Sequence, residues 1–463
     1  MELLIPLDSR SKKPLYEQIY SHICAEIRSG ALKAGDRLPS TRVLAEHLKV
    51  SRSTTQMAYD QLLAEGYMES RPCRGYFVSH LDELVETGPS GAEEMETTAE
   101  PDAGWRVDFS PRGIDLDSFP YHVWRKLSRN TLVDDNKEMF HSGNHQGEPG
   151  LREAIRSYLH SARGVNCSPE QIIVGAGSEY LLMLLSQILE GKHVIAMENP
   201  TYKQAYRVFR SLDYEVCPVE MDANGMEPEL LTRSGANVAY VMPSHQYPTG
   251  AVMTIGRRAE LLRWAEREPD RYLIEDDYDS EFRYRGKPIP SLQSSDEKGK
   301  VIYIGTFSKA IAPAIRVSYM VLPGDLLDIY RRDCSFYSCT VSRIDQRILN
   351  EFIRDGYFER HLNKMRMRYR AKHDLLLAGL EPFKKQFVIS GEDAGLHLLL
   401  TAKGNVTEQE LLERAAAEKV KAYGMSENMV EATMRKATVL LGFGSIDEAE
   451  MQEGLRRLQK AWL

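Results

Sequence analysis

GTFSKAIAPAIR, residues 305–316, places Lys309 in a hydroxyl-bearing turn directly after the strand-like run VIYI, with Arg316 seven positions further on. A lysine amine on a tight loop beside Thr306 and Ser308 suits a Schiff-base nucleophile next to an anion site that hydroxyls and a guanidinium complete. A surface lysine leading into a core segment would look the same in isolation. The rest of the chain has to decide between the two.

At 463 residues the chain exceeds one ordinary domain, and two or three are expected at ~100–200 residues each. With 42% hydrophobic and 27% charged residues, its composition is that of a soluble globular protein. No apolar run reaches the ~18 residues of a membrane span. The best candidate, YLLMLLSQIL, is interrupted by Ser186 and Gln187. The opening MELLIPLDSRSKKP carries an acid at its second residue and lacks the apolar core of a signal peptide. The six cysteines (24, 73, 167, 217, 334 and 339) are scattered and form no C-x-x-C pair. This spacing predicts reduced thiols in the cytoplasm, with neither a disulfide framework nor a zinc site.

The net charge of −8 does not by itself suggest nucleic acid, but the charge is unevenly spread. Residues 1–80 hold 11 Lys+Arg against 9 Asp+Glu. Residues 81–104, LDELVETGPSGAEEMETTAEPDAG, hold eight acids and no base. That stretch lacks an apolar period and reads as a solvated linker, drawn here over 81–106. As a flexible coil at ~5–6 Å × √n it spans roughly 27 Å. From residue 107 to 463 the pattern changes to QIIVGAG, HVIAME, VAYVMPS, YLIEDDY and VIYIGT, separated by amphipathic stretches. Short Val/Ile-rich runs alternating with helices predict an α/β domain with a mostly parallel sheet.

In the first piece, Leu15, Ile19, Ile23 and Ile27 recur every four residues, which predicts a helix with one apolar face. STRVLAEHLKV starts a second helix with Ser40 as N-cap, and SRSTTQMAYDQLLAEGY a third with Ser51 as N-cap, closing at Gly66. Three helices with so short a connection between the last two form a helix-turn-helix. YMESRPCRGYFV then reads as a hairpin wing. Ser51, Arg52, Ser53, Thr54 and Thr55 crowd the end of the third helix, which enters the major groove in this motif. Short hydroxyls and one arginine there can reach phosphates and base edges. Arg42 opens the second helix, and Arg71, Arg74 and Gly75 form the wing tip. Capping alone would explain one Ser or Thr, not five polar residues in a row.

These residues resemble the GntR-type winged helix-turn-helix, whose usual form is L-P-S-x-R-x-L-A-x-x-L-x-V-S-R-x-T-V. The likeness covers residues 12–79 and departs at Thr55, where Val is common. The resemblance implies operator DNA as a partner, with Thr55 altering base preference.

In the large piece, YLIEDDYDSEFRY (272–284) runs a strand into three acids and Tyr278. Acids at a strand's carboxyl end face the ligand crevice of an open α/β sheet. A carboxylate there can hold the protonated ring nitrogen of pyridoxal phosphate, which makes the ring an electron sink, and Tyr278 can donate to the ring phenolate. VGAGSEYLL is a strand, a glycine turn and a helix start, where the N–H groups of Gly177, Ser178 and Glu179 would cradle a phosphate. Thr306, Ser308 and Arg316 would complete that site, and Tyr202, after another strand, would stack on the ring.

The order of phosphate turn, aromatic, acid–Tyr and hydroxyl–Lys–Arg resembles the fold-type I aminotransferases over about residues 107–463. PSHQYPTG (243–250) is similar to their Asn-Pro-Thr-Gly turn. Carried over, Lys309 matches the Schiff-base lysine and Asp276 the pyridine-nitrogen partner, with Glu275 and Asp277 left as alternatives. Tyr278 matches the phenolate partner and Arg316 the phosphate arginine. Tyr247 replaces the asparagine, and His245 is the nearest candidate for the lost hydrogen bond.

A GntR-type domain linked to an aminotransferase-like domain resembles the MocR/GabR regulators. The resemblance implies a pyridoxal 5'-phosphate cofactor, a head-to-tail domain-swapped homodimer, a small-molecule effector and little turnover. The other functional class is a working aminotransferase with an accessory DNA-binding domain, which two carboxylate-binding arginines would favour. At the first position stands Gln204, and at the second Ala437, with Arg435 two residues away. This pattern argues against simple transamination and against a γ-amino acid effector. It leaves pyridoxal phosphate itself as first choice, and a dipeptide or non-carboxylate amine as second.

Overall fold

The computed structural model describes all residues except 1, 2, 4, 9, 10, 12, 73, 81–103, 133–136, 190–192, 287, 288 and 432–435. The chain divides into two compact units, Met1–Pro101 and Asp102–Leu463. Most of the acidic stretch read as a linker lies outside the described residues. Its last residue, Arg106, donates its N–H to the Lys419 carbonyl at 2.8 Å and so already belongs to the second unit.

The first unit holds helices Leu15–Arg28, Thr41–Leu48 and Arg52–Ala64 and a three-stranded antiparallel sheet. Strand Gly75–Val78 is central, between Arg37–Leu38 and Met68–Arg71. Ile19 and Ile23 of the first helix are fully buried against Ala58, Tyr59 and Leu62 of the third. Fully burying such a side chain stabilises by roughly 1.5–3 kcal/mol. Ser40 and Ser51 cap the second and third helices by accepting from Val43 N (3.3 Å) and Thr54 N (3.2 Å).

The second unit is built on an eight-stranded sheet. Its order is Ile172–Gly175, Ser318–Val321, Val301–Thr306, Tyr272–Asp277, Val238–Val241, Ile195–Asn199, Val216–Asp222 and Gly225–Met226. Ser318–Val321 runs antiparallel to both neighbours and Gly225–Met226 to its one; the remaining pairings are parallel. Val/Ile-rich strands buried on both faces are what a sheet covered by helices requires. A four-stranded antiparallel sheet, Phe387–Ser390, His397–Ala402, Thr438–Gly442 and Tyr423–Gly424, forms a second layer with its own core around Phe109, Leu398 and Leu441. Among the described residues, no helix is long and apolar enough to cross a membrane.

Candidate functional site

The carboxyl ends of strands Ile172–Gly175, Tyr272–Asp277 and Val301–Thr306 open onto one cleft of about 290 Å3. At one end, helix Ser178–Ile188 begins after Gly177, whose φ of +99° favours glycine. A Cβ there would lie 2.2 Å from Arg316 Nη2, so the close approach of backbone and guanidinium also needs glycine. The Gly177 N–H is committed to the Gly175 carbonyl (2.9 Å). The first-turn N–H groups of Ser178 and Glu179 have no acceptor within the helix, and both residues line the cleft. Across from them, Thr306 Oγ1 donates to Ser308 Oγ (3.1 Å) and accepts from Ser318 Oγ (2.9 Å). Arg316 donates to the Ala176 carbonyl (3.3 Å) and to Glu179 Oε2 (3.0 Å). Its own φ of +52° is left-handed, a conformation that costs a non-glycine residue about 1 kcal/mol and clusters at ligand sites.

Asp276 lines the same cleft. Strand alternation separates the three acids. Glu275 turns away and accepts from the N–H groups of Leu292 (2.8 Å) and Gln293 (2.9 Å). Asp277, on the same side as Glu275, accepts from Arg163 Nε (2.7 Å) and Tyr303 OH (2.6 Å). Of the three, Asp276 is the acid that lines the cleft. Its partner is the Tyr240 hydroxyl. Burial pushes its carboxyl up to about 7, against the pull of that hydrogen bond.

Lys309 also lines the cleft. Its half-buried amine donates to the carbonyls of Arg112 (2.9 Å) and Pro111 (3.2 Å). Burial lowers it to about 8; Asp279 opposes the shift, and Arg112 adds to it. Tyr202 and Tyr278 complete the walls.

His245 is not on the cleft surface but one layer behind it. Its Nδ1 lies 3.0 Å from the Tyr278 hydroxyl and 2.9 Å from Asp279 Oδ2, and its Nε2 is buried without a hydrogen-bond partner. Tyr247, the residue in the asparagine's place, lines the cleft itself and packs edge-on against Tyr202 (6.0 Å) and Tyr278 (6.2 Å). His397 lines the cleft from the second sheet, its ring edge-on to Tyr247 (5.5 Å). Its Nε2 donates to the Pro248 carbonyl (2.9 Å), and burial, aided by the neighbouring His245, lowers it to about 3, so it is neutral. Sequence reasoning missed His397, Arg112, Tyr240 and Asp279. Asp279 and Tyr240 stand inside the runs YLIEDDYDSEFRY and VAYVMPS without a signal of their own, Tyr240 reaching the site through Asp276, while His397 and Arg112 have no local motif and come from segments 285 positions apart.

In the first unit, Arg52, Ser53 and Arg74 are exposed, and Thr54 is half-buried. Ser51 Oγ lies 2.8 Å from Ser53 Oγ and 2.7 Å from Thr54 Oγ1, so this helix start is a tight hydroxyl cluster. Arg42 reaches Glu46 (3.2 Å). Arg71 pairs with Glu69 (2.6 Å) and lies over the Phe77 ring (4.6 Å), beside Gly75. Thr55 corrects the sequence reading. It is fully buried and donates to the Thr41 carbonyl (2.9 Å), joining the second and third helices in place of facing DNA. It sits one position past the helix's exposed start, where the 3.6-residue period turns inward.

Residues 15–78 match the gntR family of bacterial regulatory proteins, and residues 115–458 match aminotransferase class I and II. The chain is 34% identical to the probable rhizopine catabolism regulatory protein MocR of Rhizobium meliloti, over 99% of this chain and 96% of that one. It is 30% identical to the pyridoxine biosynthesis transcriptional regulator PdxR of Corynebacterium glutamicum, over 99% and 98%. The second unit superposes on Pyrococcus horikoshii kynurenine aminotransferase, solved in complex with PMP, with a TM-score of 0.67 and 25% identity over 77% of this chain and 90% of that one.

Proposed function

Because the chain belongs to the MocR/GabR family of HTH-type transcriptional regulators, we propose that its aminotransferase-like domain binds pyridoxal 5'-phosphate and reports it, or an amine that reacts with it, to DNA held by the winged helix. The observation that carries this reading is the polarity of the cleft. Ser178, Ser308 and Arg316, the amine of Lys309 and the buried carboxyl of Asp276, which has no ion-pair partner among the described residues, all line one cleft. A carboxyl held near 7 by burial gains most from a cation placed against it, and the protonated ring nitrogen is one.

In this reading Arg316, Thr306, Ser308 and the helix start at Ser178 hold the phosphate, with Gly177 giving the backbone room. Asp276 holds the ring nitrogen, Tyr278 donates to the phenolate, and Tyr202 covers the ring. His245 and Asp279 position the Tyr278 hydroxyl. Lys309 would supply the amine that holds the cofactor covalently. When bound, the cofactor supplies an electron sink for reactions of amines. The active form is a cytoplasmic homodimer, domain-swapped head to tail, with two winged helices on two half-sites. That PdxR is named for pyridoxine biosynthesis supports the cofactor itself as the signal.

A working aminotransferase is the second reading, favoured by the depressed Lys309. Steady-state assay of the full chain with a panel of amino acids and 2-oxo acids separates the two. The regulator reading expects no sustained turnover, because Gln204 and Ala437 stand where a carboxylate clamp would hold substrate; rates of ~1–10³ s⁻¹, typical of enzymes, would reject it.

On the DNA side, Arg52→Ala is expected to cost on the order of 1–3 kcal/mol of operator binding and to relax specificity at one position. Arg74→Ala at the wing is expected to weaken binding to all sequences and to lower the salt slope by about 1. Titrations at several salt concentrations check both. Unchanged binding in both variants would put the DNA on another face.

A further inference from the structure

The third helix of the first unit, Arg52–Ala64, turns Thr55, Ala58, Tyr59 and Leu62 into the core. At 3.6 residues per turn, Ser53, Met57 and Asp60 then point the opposite way, with Arg52 and Gln56 beside them. That outward side is polar except at one place. Among the described residues of the first unit, Met57 (52% exposed) and Val43 (55%) are the large apolar side chains left open. A lone exposed methionine on an ordinary surface needs no explanation. This one stands on the outward side of the helix that enters the major groove in a helix-turn-helix.

The polar side chains around it are engaged with one another. Ser53 Oγ and Thr54 Oγ1 lie 2.8 and 2.7 Å from Ser51 Oγ, and Gln56 Nε2 donates to Asp60 Oδ1 at 2.7 Å. Met57 can form no such tie. Long helical side chains lean back toward the helix N-terminus, which carries its thioether toward Ser53 and the end whose residues meet base edges. Those edges present donors and acceptors in the major groove, and thymine alone adds an apolar 5-methyl group. Val43 lies on helix Thr41–Leu48, the one that crosses the phosphate backbone in this motif, so the apolar contact to a base falls to Met57.

Resting on the DNA reading above, we propose that Met57 is a specificity-determining residue that reads one thymine in each half-site through its 5-methyl group. The contact is apolar and adds no hydrogen bond. A thymine stripped of its methyl therefore loses this contact and keeps every hydrogen bond it makes. Arg52 meets the DNA through a guanidinium on the same helix, so its contribution and that of Met57 can be removed separately.

The test uses the full chain and a duplex that it selects from a random-sequence pool, with each thymine replaced in turn by deoxyuridine and the affinity measured at fixed salt. The expected result is one position per half-site at which the replacement weakens binding about fourfold, the worth of one buried methyl. Met57→Ala, a good helix former at an exposed position, should bind the thymine and deoxyuridine duplexes equally; Met57→Leu should keep part of the difference. At the same position, 5-methylcytosine opposite guanine should bind the wild-type protein more tightly than cytosine does, and the alanine variant no more tightly. A selected duplex in which no deoxyuridine weakens binding, or a loss that Met57→Ala leaves unchanged, overturns the proposal; a weakened Arg52→Ala variant then leaves the DNA reading standing. Binding that neither Arg52→Ala nor Arg74→Ala alters overturns the DNA reading at this face, and this proposal with it.

Discussion

Lys309→Ala is expected to abolish borohydride-stable attachment of pyridoxal phosphate, with the visible band of the bound cofactor lost and no added mass on any tryptic peptide. Among the described residues, Lys309 is the lysine that lines the cleft, together with Ser178, Arg316 and Asp276. Alanine removes the nucleophile and two hydrogen bonds to carbonyls, at 2.9 and 3.2 Å, that water can replace on this half-open loop. The fold therefore survives, and binding through Arg316 and Ser178 persists without the covalent bond. The wild-type protein adds a pH signature. The free amine is the nucleophile, so capture should accelerate as pH rises toward about 8, where burial has brought Lys309, and level off above it. Cofactor mass found on another lysine after reduction, or a band kept by the alanine variant, would contradict the assignment.

Arg163→Ala is expected to be the most damaging single change to the second unit, costing about 3–5 kcal/mol. Arg163 and Asp277 are both buried and joined at 2.7 Å. The same guanidinium donates to the Ile289 carbonyl and to Ser244 Oγ, so it ties the strand bearing Asp276 to the turn before His245. Removing it leaves Asp277 buried with the Tyr303 hydroxyl at 2.6 Å but no cation. Set against a typical domain stability of ~5–15 kcal/mol, that loss is large. Urea unfolding should show a lower midpoint at an unchanged slope. Replacing both partners, as in Arg163→Met with Asp277→Leu, should recover much of the loss, because neither charge is then stranded. A loss below about 1 kcal/mol for Arg163→Ala would show that Asp277 is held by other means.

Arg163 also marks where the sequence stops being legible. The motifs around Lys309, Asp276 and Gly177 are local, each a strand end followed by a turn, and the fold brings them to one cleft as their order suggests. The strands QIIVGAG, HVIAME, VAYVMPS, YLIEDDY and VIYIGT can be read from Val/Ile content because a sheet covered on both faces demands it. Arg163 has no such signature. It is a buried cation in the last turn of helix Pro149–Arg163, and its purpose depends on Asp277, 114 positions away. His397 and Arg112 reach the cleft from the second sheet and from the loop after Val107–Asp108, so periodicity in either segment reports only local burial. The antiparallel strand Ser318–Val321 went unread because its apolar run follows the Lys309 loop with only the short 3-10 turn Pro313–Ile315 between them. Thr55 failed for a different reason. Polarity at a helix start marks capping and DNA contact alike, and only the turn of the helix separates the residues that face out from the one hydrogen-bonded inward to Thr41.

The most direct test is the affinity of the full chain for DNA, selected by that chain from a random-sequence pool, measured at fixed salt with and without saturating pyridoxal phosphate. A ligand shifts an equilibrium only by binding its two states differently, so a sensor must bind or bend its operator differently when loaded. The prediction is a change in operator affinity or bending on adding the cofactor, which Lys309→Ala weakens and Arg52→Ala leaves in direction while lowering the affinity itself. Identical binding and bending with and without cofactor, in a protein whose spectrum shows the cofactor bound, would contradict the account.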